Sequence, residues 1–419
     1  MNNNFTENSW QKIAIGELLE AVIDYRGKTP PKSEGGIATL TAGNVKGGKI
    51  DLSSVSYVSE MTYKSWITRG LIKPGDVLIT TEAPVGEVAL LPDDQTYLIT
   101  RRLIAMRGNP KKLDNKFLFY SLLFSGNRNR LLASVRGSTV PRVLKPDILN
   151  LEIPIPPIEE QKAIAAVLSA FDDKIELNRQ MNATLEEMAR ALFKSWFVDF
   201  DPVRRNMAGG SAQPYDGLFP SELVVENGRE HPKDWAILPL GEFVEFAYGK
   251  SLTAKKRNPG TIPVYGSNGQ IDWHDEKLVD GPGIVVGRKG YPGKVVWSQT
   301  DFYPIDTTFY VVTKDKVQSL YFLFFALESQ NLPSLSADSA VPGLNRNIAY
   351  MNLISIPSKV SINAFDKTVK PVFDKMQTNQ EESQTLTALR DTLLPRLMSG
   401  QLRVPEAEKP GFSQLEHNT

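Results

Sequence analysis

Between residues 158 and 200 the chain runs without a proline or glycine, and apolar or amide side chains recur in alternating steps of four and three. They are Ile164, Leu168, Phe171, Ile175, Asn178, Asn182, Leu185, Ala189, Leu192 and Trp196. This spacing is the seam of a helix that winds about a partner. Adding 201 to each position gives Phe365, Val369, Val372, Met376, Asn379, Ser383, Leu386, Arg390, Leu393 and Leu397, a second seam in the same phase. A narrow apolar stripe on a long helix must be covered, and the nearest cover for each seam is the other.

Identities at the same offset begin before the helices and continue through them. Val140 and Pro141 match Val341 and Pro342, Ile153 matches Ile354, and Ile155 and Pro156 match Ile356 and Pro357. Asp173, Lys174, Thr184 and Leu185 match Asp374, Lys375, Thr385 and Leu386. An ungapped match of this length predicts an internal duplication, each copy being one globular domain followed by one long helix. Weaker echoes link the globular parts: Tyr25 to Lys28 (YRGK) with Ala247 to Lys250 (AYGK), and APVGEVAL with RKGYPGKVVW.

The expected divisions are residues 1–157, a mixed domain of short strands and turns; 158–205, the first helix; 206–357, a Gly- and Pro-rich linker and a second mixed domain; 358–400, the second helix; and 401–419, a tail. The fold class is α+β, with two duplicated mixed α/β domains joined by two long helices in an antiparallel coiled coil. Pro156 and Pro157 end the first domain, and Glu159 and Glu160 suit the positive end of the helix that follows. In an antiparallel pair Asn178 and Asn379 fall near the two midpoints and are expected to face each other, fixing register. A helix of about 40 residues is roughly 60 Å long, and two outward-facing modules held at fixed spacing suit a repeating partner such as a DNA duplex.

Composition narrows the chemistry. The 419 residues include no cysteine and three histidines, His231, His274 and His417, which excludes disulfides and disfavours a soft-metal site. The first ten residues are polar, and the longest apolar run, YFLFFAL at 321 to 327, is too short to span a bilayer, so a cytoplasmic location is expected. Formal charge is zero, yet Arg101 to Lys145 holds eleven basic side chains and one acid, Asp114. That density predicts a positive face in the first domain, either a nucleic-acid surface or simply a solvated one. No phosphate-binding GxxxxGK[ST] occurs, and Asp275, Glu276 and Lys277 lack the context of a nuclease site, so no catalytic residue and no metal ligand is assigned.

The string IPIPPIEEQKAIAAVLSAFDDKIELNRQ, the following ALFKSWFVDFDPV, the connector containing LFPSEL and GREHPKDW, and the terminal LLPRLMSGQLRV resemble the specificity (S) subunit of type I restriction-modification systems. The resemblance spans nearly the whole chain. It implies two target recognition domains that each bind half of a bipartite double-stranded DNA site, and helices that dock two methyltransferase subunits. It also implies restriction and translocase subunits in the full host-defence complex. S-adenosylmethionine, ATP and Mg²⁺ would belong to those partners, with no cofactor in this chain. The second copy departs from the pattern: PSKVSI at 357 to 362 replaces PPIEEQ, and Pro371 is expected to kink or delay the second helix. A duplicated adaptor without DNA contact and a stand-alone DNA-modifying enzyme are the alternatives.

For phosphate contact the candidates are Arg101, Arg102, Arg107, Arg128, Arg130, Arg136 and Arg142 in the first domain, and Lys250, Lys255, Lys256, Arg257, Arg288, Lys289 and Arg346 in the second. For base reading they are Asn44, Ser267, Asn268 and Arg288, since forked Arg matches guanine and Asn matches adenine. Each could instead be a turn residue serving its own backbone.

Overall fold

The structure is a computed structural model that describes residues 10–25, 29–92, 95–137, 139–210, 213–226, 228–337 and 343–404. The chain forms two compact units, residues 1–176 with 382–419, and residues 177–381. The division falls inside both long helices, Ile158–Phe197 and Lys359–Met398. Each unit therefore holds one globular domain and part of each helix. Arg26 to Lys28, Val341, Pro342 and His417 lie outside the described residues.

The framework of the first unit is β1 (Gln11–Ala14), β2 (Leu19–Ile23), β3 (Val77–Thr80), β4 (Val88–Leu90), β5 (Leu103–Gly108), α1 (Asn115–Leu123), α2 (Lys145–Leu149) and β6 (Glu152–Ile155). The second unit repeats it as β7 (Ala236–Pro239), β8 (Val244–Tyr248), β9 (Gly283–Gly287), β10 (Val295–Ser298), β11 (Thr308–Thr313), α3 (Leu320–Glu328), α4 (Arg346–Tyr350) and β12 (Leu353–Ile356). In one, a four-stranded sheet has the order β2-β5-β3-β4 and β1 pairs with β6; in the other the orders are β8-β11-β9-β10 and β7 with β12. A three-stranded sheet of one antiparallel and one parallel pair also recurs, with Ile37–Leu40 and Ile262–Gly266 as central strands.

Register makes the duplication residue-specific. Gln11 opposes Ile155 as Ala236 opposes Ile356, and Leu78 opposes Ala105 as Val285 opposes Tyr310. The spacing between equivalent residues thus falls from 225 (Gln11 to Ala236) through 207 (Leu78 to Val285) and 205 (Ala105 to Tyr310) to 201 (Glu152 to Leu353). Insertions and deletions in the loops produce these steps. One motif at the entry escaped a fixed-offset search: Trp10, Gly16 and Glu17 recur as Trp235, Gly241 and Glu242. Its glycines have a packing reason, since a Cβ on Gly16 would lie 3.2 Å from Leu149 Cβ and one on Gly241 would lie 2.9 Å from Tyr350 Cβ. Leu149 and Tyr350 are themselves equivalent, at the ends of α2 and α4.

The cores form where apolar strands meet apolar helices. Val77 to Thr80 are buried on both faces, as a continuous VLIT run requires. In the first unit Ile164, Ala165 and Leu168 of the first long helix pack with Phe117 and Leu118 of α1 and with Leu397 and Met398 of the second long helix. In the second unit Phe193, Trp196 and Phe197 pack with Phe365 and with Phe322 and Phe325 of α3. Their ring centroids lie 5.2 to 6.1 Å apart where Phe197 meets Phe322 and Phe365, and Phe325 meets Phe365. One layer changes character between units. Tyr120, Asp172 and Arg390 are linked by hydrogen bonds in the first, and the equivalent positions in the second are Phe325, Phe373 and Ala189. Burial and the bond to Asp172 push the Tyr120 phenol well above its ordinary pKa.

Within each unit the helical segments run antiparallel, as expected for a coiled coil. Lys174 pairs with Glu382 in the first unit, and Asn178 Nδ2 donates to the Asn379 carbonyl at 3.3 Å in the second. The Asn379 side chain donates to Asn182 Oδ1 at 2.8 Å, one turn beyond Asn178, and Asn182 Nδ2 donates to the Met376 carbonyl at 3.0 Å. Three asparagines share the layer, because an amide on one helix reaches the adjacent turn of its neighbour. Changing Asn178, Asn182 and Asn379 together to leucine is expected to raise the melting temperature, by about 1 to 2 kcal/mol of stability. Changing Asn178 and Asn379 alone should raise it less, since Asn182 keeps an amide without its side-chain partner. Thermal unfolding of both variants checks this.

The expectation that Pro371 delays the second helix is not met. The helix begins at Lys359 and is continuous through Pro371 and Pro395. Pro371 is exposed, so the backbone groups it leaves without a ladder partner lie on the wet side of the helix.

The missing EEQ string also has a structural account. Gln161 is fully buried; its Nε2 donates to the Lys112 and Pro156 carbonyls at 2.9 Å, and its Oε1 accepts from the Asp114 amide at 3.0 Å. Asp114 is the N-cap of α1, so Gln161 joins that helix to the first long one. Both carboxylate oxygens of Glu160 accept from Arg403 Nη1, and the guanidinium lies over Trp10. In the second unit Ile362 takes the place of Gln161 in the apolar core. The joints there are Ser361 Oγ to the Leu218 carbonyl at 2.8 Å and Ser319 Oγ to Asp366 at 2.6 Å.

Candidate nucleic-acid interface

Each globular domain carries a cleft built from the same four segments: the end of β2 or β8, the turn after β3 or β9, the start of β5 or β11, and the stretch leading into α2 or α4. The first has a volume of about 670 Å³ and is lined by Asp24, Thr81, Glu82, Ile104 and Arg142 to Lys145, with Arg101 at its side. The second has a volume of about 400 Å³ and is lined by Tyr248, Arg288, Lys289, Phe309 and Gly343 to Arg346. By the sheet registers, Asp24 corresponds to Tyr248, two residues away from the pairing that the YRGK and AYGK echo suggested, Thr81 and Glu82 to Arg288 and Lys289, and Ile104 to Phe309; Lys145 and Arg346 open the equivalent helices α2 and α4. A feature lined by equivalent residues in both copies belongs to the fold rather than to one loop.

Of the basic candidates in the first domain, Arg101 and Arg142 are exposed and meet at this cleft. The others are largely engaged by the protein itself. Arg102 pairs with Glu82, Arg128 with Glu87 and Arg136 with Asp147. Arg130 donates to Asn127 Oδ1 and to the Glu152 carbonyl, both at 2.7 Å. Arg107 is turned inward, with Nε 2.7 Å and Nη2 2.8 Å from the two oxygens of Asp76. The count of one acid between residues 101 and 145 missed Asp76, Glu82 and Glu87, because neighbouring strands and turns deliver them. Asn44 is buried and spends its amide locally: Oδ1 accepts from the Thr41 amide and hydroxyl, and Nδ2 donates to the Asp51 carbonyl.

In the second domain Lys250, Lys255 and Lys256 are exposed and have no ion pair among the described residues. Arg257 pairs with Asp272 at 3.0 Å and, with a backbone bond from Trp273, holds the Asp272 carboxyl below its ordinary range. Asn268 accepts Lys294 Nζ on both its carbonyl and Oδ1 at 2.8 Å. A Cβ on Gly290 would lie 3.3 Å from Ser267 Oγ, so Ser267 borders the turn that carries Arg288 and Lys289. Those two and Arg346 come together at the second cleft. Tyr248, which faces them, was missed because an aromatic at a strand end carries no signal of its own. The guanidinium carbons of Arg288 and Arg346 lie 5.3 and 4.7 Å from its ring centroid.

Among the described residues no group of three or more His, Asp or Glu side chains is placed to hold a metal ion, and no helix is long and apolar enough to cross a membrane. Lys277 of the acidic tripeptide is held by Asp280 and Asp301.

Residues 7–187 and 232–366 match the family of type I restriction modification DNA specificity domains. The chain is similar to the type I restriction enzyme HindI specificity subunit of Haemophilus influenzae, 26% identical over 94% of this chain and 100% of that one. It is similar also to the MjaIX specificity subunit of Methanocaldococcus jannaschii, 26% identical over 85% of this chain and 86% of that one. Among solved structures, the S subunit of a type I restriction-modification system from M. genitalium shares the fold, with a TM-score of 0.51 and 20% identity over 95% of this chain and 98% of that one.

Proposed function

Since this chain belongs to the type I restriction-modification DNA specificity family, we propose that each of its domains reads one half of a bipartite duplex target and that its long helices dock methyltransferase subunits. The chain is the recognition subunit, and catalysis resides in its partners. Two methyltransferase copies would match the two-fold repetition of domain and helix, and restriction and translocase subunits would complete the assembly. S-adenosylmethionine, ATP and Mg²⁺ would be bound by those partners.

The observation that carries this reading is the equivalence of the two clefts. One backbone framework presents different side chains in the two copies: Asp24, Glu82 and Lys145 in one, Tyr248, Lys289 and Arg346 in the other. A repeated scaffold with divergent lining suits two half-sites of different sequence. In this reading Arg101, Arg142, Lys250, Lys255 and Lys256 hold phosphates, and Ser267 and Asn268 approach base edges. Arg102, Arg107, Arg128 and Asn44 serve the fold through the partners described above.

Genome-wide methylation mapping in cells that express this chain with its methyltransferase tests the proposal. The expected result is a split motif, one half of which changes when residues 1–150 are exchanged for those of another family member. Absence of any preferred motif would favour an adaptor without DNA contact. Methyl transfer or cleavage by the purified chain alone would favour a stand-alone enzyme.

A further inference from the structure

The two clefts are equivalent in position but not in charge. In the first, carboxylates stand among the cations: Glu82 holds Arg102, and Asp24 holds both Lys145 and Arg69. In the second, those carboxylate positions are occupied by Lys289 and Tyr248, and Arg288 replaces Thr81. Arg288, Lys289 and Arg346 thus face one another across the cleft, and among the described residues none of them pairs with a carboxylate. Asp306, in the neighbouring turn, pairs with none of the three.

The cations are also held in place. Arg346 Nη1 donates to the Phe246 carbonyl at 3.1 Å, and both guanidinium groups rest near the ring of Tyr248, which is 50% exposed. Arg288 Nε is buried and finds no acceptor among the described residues. Two guanidinium groups beside one ring, with the Lys289 ammonium in the same cleft, repel each other, and contact with the aromatic face offsets this only in part. An oxyanion between them removes the repulsion and accepts from forked donors already in position.

The geometry points to the second cleft as the seat of one backbone phosphate of the DNA duplex, an ionic grip that the partly neutralised first cleft does not match. This rests on the reading that the chain binds DNA. Its consequence is an unequal pair of half-sites, the second domain relying more on a phosphate contact than the first.

The test uses the chain assembled with its methyltransferase partners and measures affinity for the cognate duplex across a salt series. For the double variant Arg288→Gln with Arg346→Gln, affinity should fall about tenfold at physiological salt, with a salt slope shallower by about one. Sequence preference should stay unchanged. Because Arg288 is partly buried, Lys289→Gln with Arg346→Gln is measured beside it and should change in the same direction. An unchanged slope in both variants overturns the assignment. So does an altered preference in one half-site, which would place these arginines on bases. Unchanged duplex binding in the variants, together with loss of a phosphate-induced rise in the melting temperature, would mark a free-phosphate site and overturn the duplex assignment. A wild-type assembly without preference for any duplex sinks the DNA reading itself, an outcome distinct from normal wild-type binding with an unaltered variant slope.

Discussion

Arg107→Ala is expected to destabilise the first unit by about 3 to 5 kcal/mol, the cost of leaving a buried carboxylate without its cation. Asp76 is 1% exposed and Arg107 15% exposed, and the guanidinium also donates to the Leu71 carbonyl at 3.0 Å. With the arginine gone, Asp76 retains the Lys73 amide at 2.8 Å and no charge partner. The second unit indicates how the site can be built without ions, since the equivalent positions hold Val312 and Gly283. Removing both charges in Asp76→Ala with Arg107→Ala should therefore cost less than the sum of the single changes. Urea unfolding of the two single variants and the double gives the coupling. Additive losses would mean that the pair is not a unit. The salt slope of DNA binding should be the same in folded Arg107→Ala as in wild type, which separates this arginine from a phosphate contact.

Gln161→Ala is expected to cost about 2 to 3 kcal/mol, because three backbone groups lose their partner at one buried point. The Asp114 amide, the Lys112 carbonyl and the Pro156 carbonyl are all bonded by this one side chain. The loss should appear as loosening of the joint between α1 and the first long helix, read as faster amide exchange at Asp114 and Leu118 with strands β3 and β5 unchanged. Gln161→Glu keeps the acceptor for Asp114 but turns a donor toward two carbonyls into an oxygen, so it should be at least as harmful. In the second unit Ile362→Gln should bury an amide among apolar side chains, with no gain in stability. Equal protection in wild type and Gln161→Ala would show that the joint is held by apolar packing alone.

The PPIEEQ string shows how far local reading reaches. Its prolines and carboxylates correctly marked the start of a helix, and the helix begins at Ile158. What Glu160 and Gln161 do was hidden. Glu160 is held by Arg403 and Gln161 by the Lys112 to Asp114 turn, both far away in sequence. Pro371 was misleading for the opposite reason: a rule about backbone hydrogen bonds predicts disruption, but exposure on the helix surface removes most of its force.

The basic cluster is a second case. Eleven cations in a window of residues 101 to 145 predicted a positive surface, and the fold brings carboxylates from outside or beside that window to Arg102, Arg107 and Arg128. In the second domain, which has no such cluster, the turn after β9 and the start of α4 bring Arg288, Lys289 and Arg346 together. Charge density along a chain and charge density on a surface are different quantities.

The sequence by itself determined the two helices, the seam on each, the duplication and the family, and the tertiary structure showed that the helical segments run antiparallel within each unit. Helical period and terminal signals are carried by contiguous residues, and a repeat in register survives as a fixed offset. Only the tertiary structure decided which cations are free, that the two clefts are equivalent, and that one is partly neutralised while the other is bare. Ion pairing depends on side chains that strand pairing brings together from distant segments, and the loops between those segments changed length after duplication, so no single offset could align them.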